Sequence, residues 1–393
     1  MTQSRQESLS IRETLLNGTI REDLPEITTS AVALKEFSLE ALNKAVVGEL
    51  RAKNAIIAGM IAGMEDGAGI VALTGPPSGG KSDLLGIAPL LITGGESERA
   101  HVRGRMDLPE KAILPIGSIL TRQFIRDGQV TEEQIASQYR SAITADTRSF
   151  AFDEFNNSNP AIQNILLDLM QKGYVDFFDE HGQLRRSALN QMLIAWNNYG
   201  EDYTQPIRGA VISRLGMGCV VGLREKGKLS ETSRVILHYR PDDKKNVYDP
   251  KAKGQIGQII SEDNLRKIVS ALDSVKLGEK GSPHGSRTAE FLEKGIVLVA
   301  DTLSEEGVIM HDVRITKQIV RVARALSLMD GSDYVTENAA IESTYLNLMG
   351  QMAALTIRDT VMVEGQRVNG LWHQVIKTQD LIIKTFGLEK NVA

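Results

Sequence analysis

One short segment constrains the fold of this chain more than any other, the glycine-rich run GPPSGGKS at residues 75–82. It matches the pattern GxxxxGK followed by Ser or Thr, and it lies between an apolar run at 70–74 and a helical pattern at 83–91. Glycine lets the backbone close around an anion, so that N–H groups and the N-terminus of the next helix point at phosphate oxygens. This segment, called the phosphate loop below, predicts a nucleotide site between a buried strand and a helix.

The residues of the phosphate loop have separate predicted roles. Lys81 is expected to reach the β- and γ-phosphates, and Ser82 to place its hydroxyl on Mg²⁺, the ion that neutralises and orients those phosphates. The remaining residues are expected to form the cradle: Gly75, Pro76, Pro77, Ser78, Gly79 and Gly80. ATP and Mg²⁺ are thus the predicted ligands of this site.

A second apolar run, at 149–152, ends in two adjacent acids, Asp153 and Glu154, called the acid pair below. A phosphate loop alone does not hydrolyse its nucleotide, because the attacking water must be activated and the metal shell completed. Asp153 is predicted to hold Mg²⁺, directly or through water, and Glu154 to polarise the attacking water as general base. The acid pair therefore favours hydrolysis over a nucleotide switch that does not hydrolyse.

Strand patterns alternate with helical patterns in this part of the chain, which is typical of a parallel sheet with covered faces. The apolar periodicity predicts a helix at 160–172 and a third buried strand at 191–196. Residues 174–187 read as a hairpin around a Glu-His-Gly turn, and residues 94–105 as a polar loop. The chain is thus predicted to be an α/β protein.

Composition and charge exclude several classes of protein. The formal net charge of −5 gives no overall attraction to a nucleic-acid backbone. The single cysteine, Cys219, makes no intramolecular disulfide, which favours a reducing, cytoplasmic compartment. The N-terminus carries mixed charges without an apolar signal region, and the longest apolar run, at 55–64, is about half of what a membrane span needs. We therefore expect a cytoplasmic protein that does not insert into a membrane.

Three further segments resemble parts of a known family. Val46-Val47-Gly48 precedes the phosphate loop, and the stretch at 152–175 joins the acid pair to an Asn-containing turn and a helix ending in Met-Gln. The stretch at 321–339 joins a helical pattern to the turn GSDYVT. Together with the phosphate loop, these segments resemble the AAA+ ATPases and, within them, the MoxR group with its helix-2 insert.

The resemblance implies a P-loop NTPase core of the AAA+ type, with a parallel sheet and helices on both faces, followed by a helical lid. It also implies that Val47 and Gly48 line the adenine pocket. The predicted divisions are an N-terminal helical extension at 1–36, the core at 37–225, a linker or surface insertion at 226–261, the lid at 262–348 and a C-terminal helical extension at 349–393.

Three further residues are implied to complete catalysis alongside Glu154. Asn198 takes the place of the family's sensor 1 asparagine, at the end of the third strand. Arg214 matches the arginine finger that acts on the nucleotide of a neighbouring subunit, and Arg208 is the competing candidate. Arg314 takes the place of the sensor 2 arginine, and the family pattern has both arginines contact the γ-phosphate.

The resemblance implies a homo-hexameric ring that hydrolyses ATP to remodel or activate a partner protein complex. The partner often carries a von Willebrand factor A domain, which must lie on another chain because no DxSxS motif occurs here. The run ILPIGSIL at 113–120, inside the stretch 100–138 that corresponds to the helix-2 insert, is a candidate pore or partner contact. The alternative is a nucleic-acid-dependent motor of the helicase or McrB type, which the net charge disfavours.

Overall fold

A computed structural model describes most of the chain after residue 22. The described residues are 23–76, 79–93, 101–109, 113, 118–126, 129–137, 142–143, 147–178, 184–197, 207–222, 260–277, 283–308, 312–355, 360–363 and 366–388. Pro77, Ser78 and Asn198 lie outside them, as do almost all of the predicted linker at 226–261 and half of the run at 113–120.

Five parallel strands form the central sheet. The strands in chain order are β1 (Ile70–Thr74), β2 (His101–Arg103), β3 (Ser118–Arg126), β4 (Gln129–Ser137), β5 (Ser149–Asp153), β6 (Tyr174–Phe178), β7 (Leu184–Ala188), β8 (Gln191–Trp196), β9 (Met217–Val220), β10 (Thr360–Val363) and β11 (Gln366–Asn369). The order across the sheet is β2-β5-β8-β1-β9, and the pairs β3–β4, β6–β7 and β10–β11 are separate antiparallel hairpins. The carboxyl ends of β1 and β5 therefore lie on the same edge of the sheet.

Helices connect and cover the strands. They are α1 (Leu24–Ala45), α2 (Leu50–Ala62), α3 (Lys81–Ile87), α4 (Leu90–Thr93), α5 (Pro160–Lys172), α6 (Gly209–Ile212), α7 (Glu262–Ala271), α8 (Pro283–Glu305), α9 (Asp312–Met329), α10 (Glu337–Leu355) and α11 (Gly370–Phe386). Among the described residues, no helix combines the length and apolarity that crossing a membrane requires.

Side chains of the sheet alternate between two hydrophobic cores. Val71 and Leu73 of β1 face the larger core, which includes residues of α1, α2, α3 and α7 to α11. Ile70 and Ala72 face the smaller core, which includes residues of α5 and α6. Successive residues of a strand point to opposite faces, so a strand covered on both sides is apolar throughout. The predicted architecture, a parallel sheet with helices on both faces followed by a helical region, is confirmed.

Two strands of the sheet differ from the sequence expectation. The predicted polar loop at 94–105 contains β2, and no strand was expected at β9. The three residues of β2 are half-buried or exposed, because β2 lies at the edge of the sheet. Such a short edge strand has no apolar period that distinguishes it from a loop. The other elements named in advance, β1, β5, α5, the β6–β7 hairpin and β8, are confirmed.

The N-terminal helix packs into the C-terminal helical region. Leu34 and Leu42 of α1 are buried in the larger core, and Lys35 forms an ion pair of 2.6 Å with Asp330, just after α9. Residue 36 lies inside α1, and residue 348 lies inside α10. The boundaries predicted at these two positions therefore have no counterpart in the chain's elements, since each helix continues its buried face across them.

Helix α10 crosses the sheet at β9 with backbone against backbone. A Cβ atom on Gly218 would lie only 2.0 Å from the Cα atom of Gly350. Only two glycines permit this approach, because any larger side chain at either position would force the helix away from the strand. The helical region is thereby seated directly on the α/β sheet.

Candidate functional site

The phosphate loop follows β1 and turns back tightly against the segment after β9. A Cβ atom on Gly75 would lie 2.0 Å from the carbonyl oxygen of Val221, so that only glycine fits there. Gly80 has a left-handed backbone, with φ of 88°, and occupies the N-cap position of α3. These two glycines allow the loop to curl and to end at a helix N-terminus, the arrangement that receives phosphate groups.

Lys81 is the first residue of α3, and its side chain is almost fully buried beneath the loop. Its Nζ atom donates to the carbonyl oxygens of Gly75, at 2.9 Å, and Pro76, at 2.7 Å. Burial lowers the pKa of Lys81 to about 8, although Asp153 and Glu154 act in the opposite direction. The ammonium group is therefore aimed at the loop, and it loses its proton at a lower pH than an exposed lysine does.

The lowered pKa of Lys81 predicts that ATP binding takes up a proton at alkaline pH. The ammonium form binds phosphate, so affinity is fully present well below pH 8 and falls by up to about tenfold per pH unit well above it. Calorimetric titration in EDTA, with two buffers of different ionisation heat, measures the proton uptake directly. The variant Lys81→Arg, whose guanidinium stays charged, should bind without this pH dependence; equal proton uptake in both proteins would contradict the assignment.

Ser82 and Asp153 meet at the carboxyl ends of β1 and β5. The Ser82 hydroxyl donates to Asp153 Oδ2 at 2.5 Å, and the Asp153 side chain is only 6% exposed. A hydroxyl and a buried carboxylate that converge on one point supply the oxygen ligands that Mg²⁺ prefers. The two residues predicted as metal ligands are thus brought together, and their donor set fits the ion.

Glu154 is held in a left-handed backbone conformation, with φ of 52°, which is uncommon outside glycine. Its N–H donates to Asp153 Oδ1 at 2.9 Å, which fixes the turn between the two acids. Asn157 donates to Glu154 Oε2 at 3.2 Å, and the guanidinium of Arg103 donates to Oε1. The hydrogen bond from Arg103 is the largest influence that lowers the pKa of Glu154.

Arg103 is a residue of this site that sequence reasoning missed. It ends β2, where it pairs in register with Asp153 of β5, and its side chain reaches the neighbouring Glu154. The N–H of Gly104 then donates to the carbonyl oxygen of Asp153 at 2.7 Å. No signal in the sequence marked Arg103, because the strand that places it has three residues and lies 51 positions before Glu154.

Removal of the Arg103 side chain is expected to raise basal ATP turnover. The ion pair occupies one of the two oxygens with which Glu154 could accept a proton, and its arginine is mostly exposed. An exposed pair is worth about 0.2 to 1 kcal/mol, so its loss should speed hydrolysis by at most about fivefold. A steady-state ATPase assay of Arg103→Ala, with Arg105→Ala as the nearby control, tests this; a slower Arg103→Ala enzyme would contradict it.

The segment 46–49 lies beside the phosphate loop, next to Gly80. Gly48 and Glu49 are both left-handed, with φ of 64° and 56°, so the chain reverses sharply between α1 and α2. The fully buried Lys53 donates to the carbonyl oxygen of Val46 at 2.6 Å. Glu49 Oε1 accepts from the N–H of Gly222 at 2.8 Å. Val47 and Gly48 are therefore held close to the loop, and their contact with adenine stays a prediction.

The end of β8 lies against the turn that follows the acid pair. The side-chain amide of Asn156 donates to the carbonyl oxygen of Asn197 at 2.9 Å. Asn198, the predicted sensor residue, is the next position along the chain and lies outside the described residues. Its role stays a prediction.

Arg214 and Arg314 lie together at the other end of the sheet. Arg314 Nη1 donates to Ser213 Oγ at 3.3 Å, and Arg214 donates to the carbonyl oxygen of Ala210 at 2.6 Å. Burial lowers the pKa of Arg214, and the positive charge of Arg314 lowers it further. Arg208 is exposed and donates to Asn164 Oδ1 at 2.5 Å.

Neither Arg214 nor Arg314 reaches the phosphate loop of its own chain. Arg214 lies just before β9, whose first residue, Met217, pairs with Val71 near the start of β1, and Arg314 of α9 contacts the neighbouring Ser213. The phosphate loop begins beyond the far end of β1, a strand of five residues and therefore about 16 Å long. That length exceeds the reach of an arginine side chain. The structure therefore brings neither arginine to the phosphate loop of its own chain, and their contact with a γ-phosphate stays a prediction.

Comparisons with known proteins complete the description of the site. No protein-family model matches this chain, and no curated protein is similar to it in sequence. The chain is similar to the crystal structure of a candidate ATPase from Cytophaga hutchinsonii ATCC 33406, with a TM-score of 0.55 and 15% sequence identity. The match covers 93% of this chain and 97% of the other. At this identity the similarity shows a shared fold, which extends over the sheet and the helical region alike.

Proposed function

We propose that this protein is an AAA+ ATPase that binds ATP with Mg²⁺ and hydrolyses the ATP to ADP and phosphate. One observation carries the proposal: Lys81, Ser82 and Asp153 converge at the carboxyl ends of β1 and β5, which flank β8 in the sheet, with Glu154 next to them. The similar fold of a protein described as a candidate ATPase supports it. Fold alone would not, since P-loop folds serve many functions.

The residues of the site have complementary roles in this reaction. The loop's N–H groups and Lys81 bind the β- and γ-phosphates, while Ser82 and Asp153 hold Mg²⁺, which neutralises phosphate charge when bound. Glu154 accepts the proton of the attacking water. Because Arg103 occupies one oxygen of Glu154, hydrolysis requires that this ion pair loosen or that the second oxygen serve as the base.

We further propose that the chain assembles into a ring, as MoxR-like proteins do. Support comes from the distance between Arg214, Arg314 and their own phosphate loop, which leaves a neighbouring subunit's nucleotide as the target for both. A hexamer that remodels a partner protein complex, the partner carrying a von Willebrand factor A domain on its own chain, remains the favoured form. A nucleic-acid-dependent motor is the second candidate.

Replacement of Lys81 by alanine tests the core of the proposal. Loss of a buried charge that pairs with the phosphates costs about 2 to 5 kcal/mol, so ATP affinity should fall by about 30-fold or more. Lys377→Ala, on the exposed surface of α11, is the control. If Lys81→Ala and the unmodified protein bind ATP with equal affinity at equilibrium, the loop does not bind the phosphates of ATP through Lys81.

The two candidate partners, a protein and a nucleic acid, are distinguished by which of them stimulates ATP turnover. ATPase activity is measured alone, with single- and double-stranded nucleic acid, and with proteins that co-purify with the chain. Stimulation by a purified co-purifying protein and none by nucleic acid is expected. Stimulation by nucleic acid alone would favour the motor instead.

A further inference from the structure

Three fully buried amide side chains join the helical region to the turn that carries Arg214. They are Gln318 of α9 and Asn347 and Gln351 of α10, called the amide network below. The Asn347 amide donates to the carbonyl oxygen of Gly216, at 3.0 Å, and to Gln318 Oε1, at 3.2 Å. Gln351 donates to Asn347 Oδ1 at 3.1 Å. The network therefore spans two helices and the backbone just after Arg214.

The same network fixes the helix that carries Arg314. Gln318 lies one helical turn after Arg314 on α9, and its amide donates to the carbonyl oxygen of Asp66 at 3.1 Å. A Cβ atom on Gly67 would lie 2.5 Å from the carbonyl oxygen of Arg214. The turn before β1, the Arg214 turn and α9 are thus in direct contact around the amide network.

We infer that Asn347 is a positioning residue that holds Arg214 and Arg314 in one fixed relative geometry, so that they act together on the nucleotide of a neighbouring subunit. The inference rests on the proposed function, because it requires that Arg214 and Arg314 act on the nucleotide of a neighbouring subunit. Asn347 contacts the backbone of the Arg214 turn directly, and it reaches the Arg314 helix through Gln318.

The polarity of the amide network indicates that it does more than fill space in the core. Buried amides must find partners, and a network with one good arrangement specifies that arrangement more sharply than apolar side chains of similar volume. Here the groups that Asn347 satisfies are the backbone carbonyls after Arg214 and the side chain that orients α9. A shift of the Arg214 turn or of α9 would break these hydrogen bonds. The two guanidinium groups, whose positive charges repel each other, are thereby kept side by side.

The experiment uses Asn347→Leu, which keeps the branched shape and the number of heavy atoms of the side chain and removes the amide. A misplacement on the order of 1 Å costs up to about 100-fold in rate, so kcat should fall by about 10- to 100-fold with little change in ATP affinity. Ser343→Ala is the matched control, because Ser343 is equally buried on α10 and bonds only to its own helix, at Ala340. Gln318→Met, which interrupts the network from α9, serves as a second variant.

Mixing then separates a positioning role from a general structural one. Asn347→Leu chains keep an intact phosphate loop and Glu154, so activity should return when they form rings with Glu154→Gln chains, whose arginines are intact. Unchanged kcat in Asn347→Leu and Gln318→Met, or loss without recovery in mixed rings, would overturn the inference. Arg214→Ala is mixed in parallel: if it recovers and Asn347→Leu does not, only this inference fails, and if neither recovers, the proposed action across subunits fails.

Discussion

ATP should remain bound to the variant Glu154→Gln while its hydrolysis falls by about 10²- to 10⁴-fold, the usual contribution of a general base. Glutamine keeps the shape of the side chain and leaves the Mg²⁺ ligands unchanged, but it cannot accept the proton of the attacking water. Its amide oxygen can still accept the hydrogen bond from Arg103, whereas its NH2 group cannot accept the one that Asn157 donates to the carboxylate. This variant should therefore keep ATP binding and lose ATP hydrolysis.

The measurement is a single-turnover hydrolysis assay together with an equilibrium ATP titration. Glu40→Gln, on the exposed surface of α1, is a control of the same chemical change far from the site. Turnover near the rate of the unmodified protein in Glu154→Gln would show that another group activates the water. Loss of ATP binding would show that the acid pair contributes mainly to the shape of the pocket.

The variant Arg214→Ala should lower ATP turnover by about 10³-fold or more, the contribution that arginine fingers make, with little change in ATP affinity. Its guanidinium lies at the opposite end of the sheet from its own phosphate loop, which is why we propose a nucleotide on the neighbouring chain as its target. Turnover per chain should also rise steeply with protein concentration as rings form.

Mixing inactive Arg214→Ala chains with inactive Glu154→Gln chains gives the decisive result. In rings of equal composition, about a quarter of the interfaces place an intact Glu154 opposite an intact Arg214, so a similar fraction of activity should return. No recovery in rings shown to be mixed would exclude Arg214 as the trans-acting residue. Arg208, which lies on the same segment before β9, would then be the next residue to test.

The parts of the site that were predictable are those encoded in consecutive residues. The phosphate loop and the acid pair each lie at the end of an apolar strand, and the structure joins them through Ser82 and Asp153 as the sequence implied. The strands β1, β5 and β8 were predictable for the same reason: each is buried on both faces and reads as a continuous apolar run.

The parts that were missed depend on contacts between distant positions. Arg103 meets Glu154 only because a three-residue edge strand pairs in one register with β5. Gln318 meets Asp66 across 252 positions, and Asn347 meets Gly216 across 131. Spacing in the sequence also placed Arg314 at a γ-phosphate without revealing that its own loop is out of reach. Only the packing of α9 and α10 on the sheet determines such neighbours.

The ion pair that joins α1 to the end of α9 has a consequence for how the protein folds during its synthesis on the ribosome. Lys35 and Asp330 are 295 positions apart, and at about 5 to 20 residues per second roughly 15 to 60 s pass between their syntheses. During that interval α1 can pack against α2 and α3, which are made soon after it, but for most of it its partners α7 and α9 do not yet exist. The packing of α1 is therefore completed only near the end of synthesis, so that the earliest described helix to be made is among the last to reach its full set of contacts.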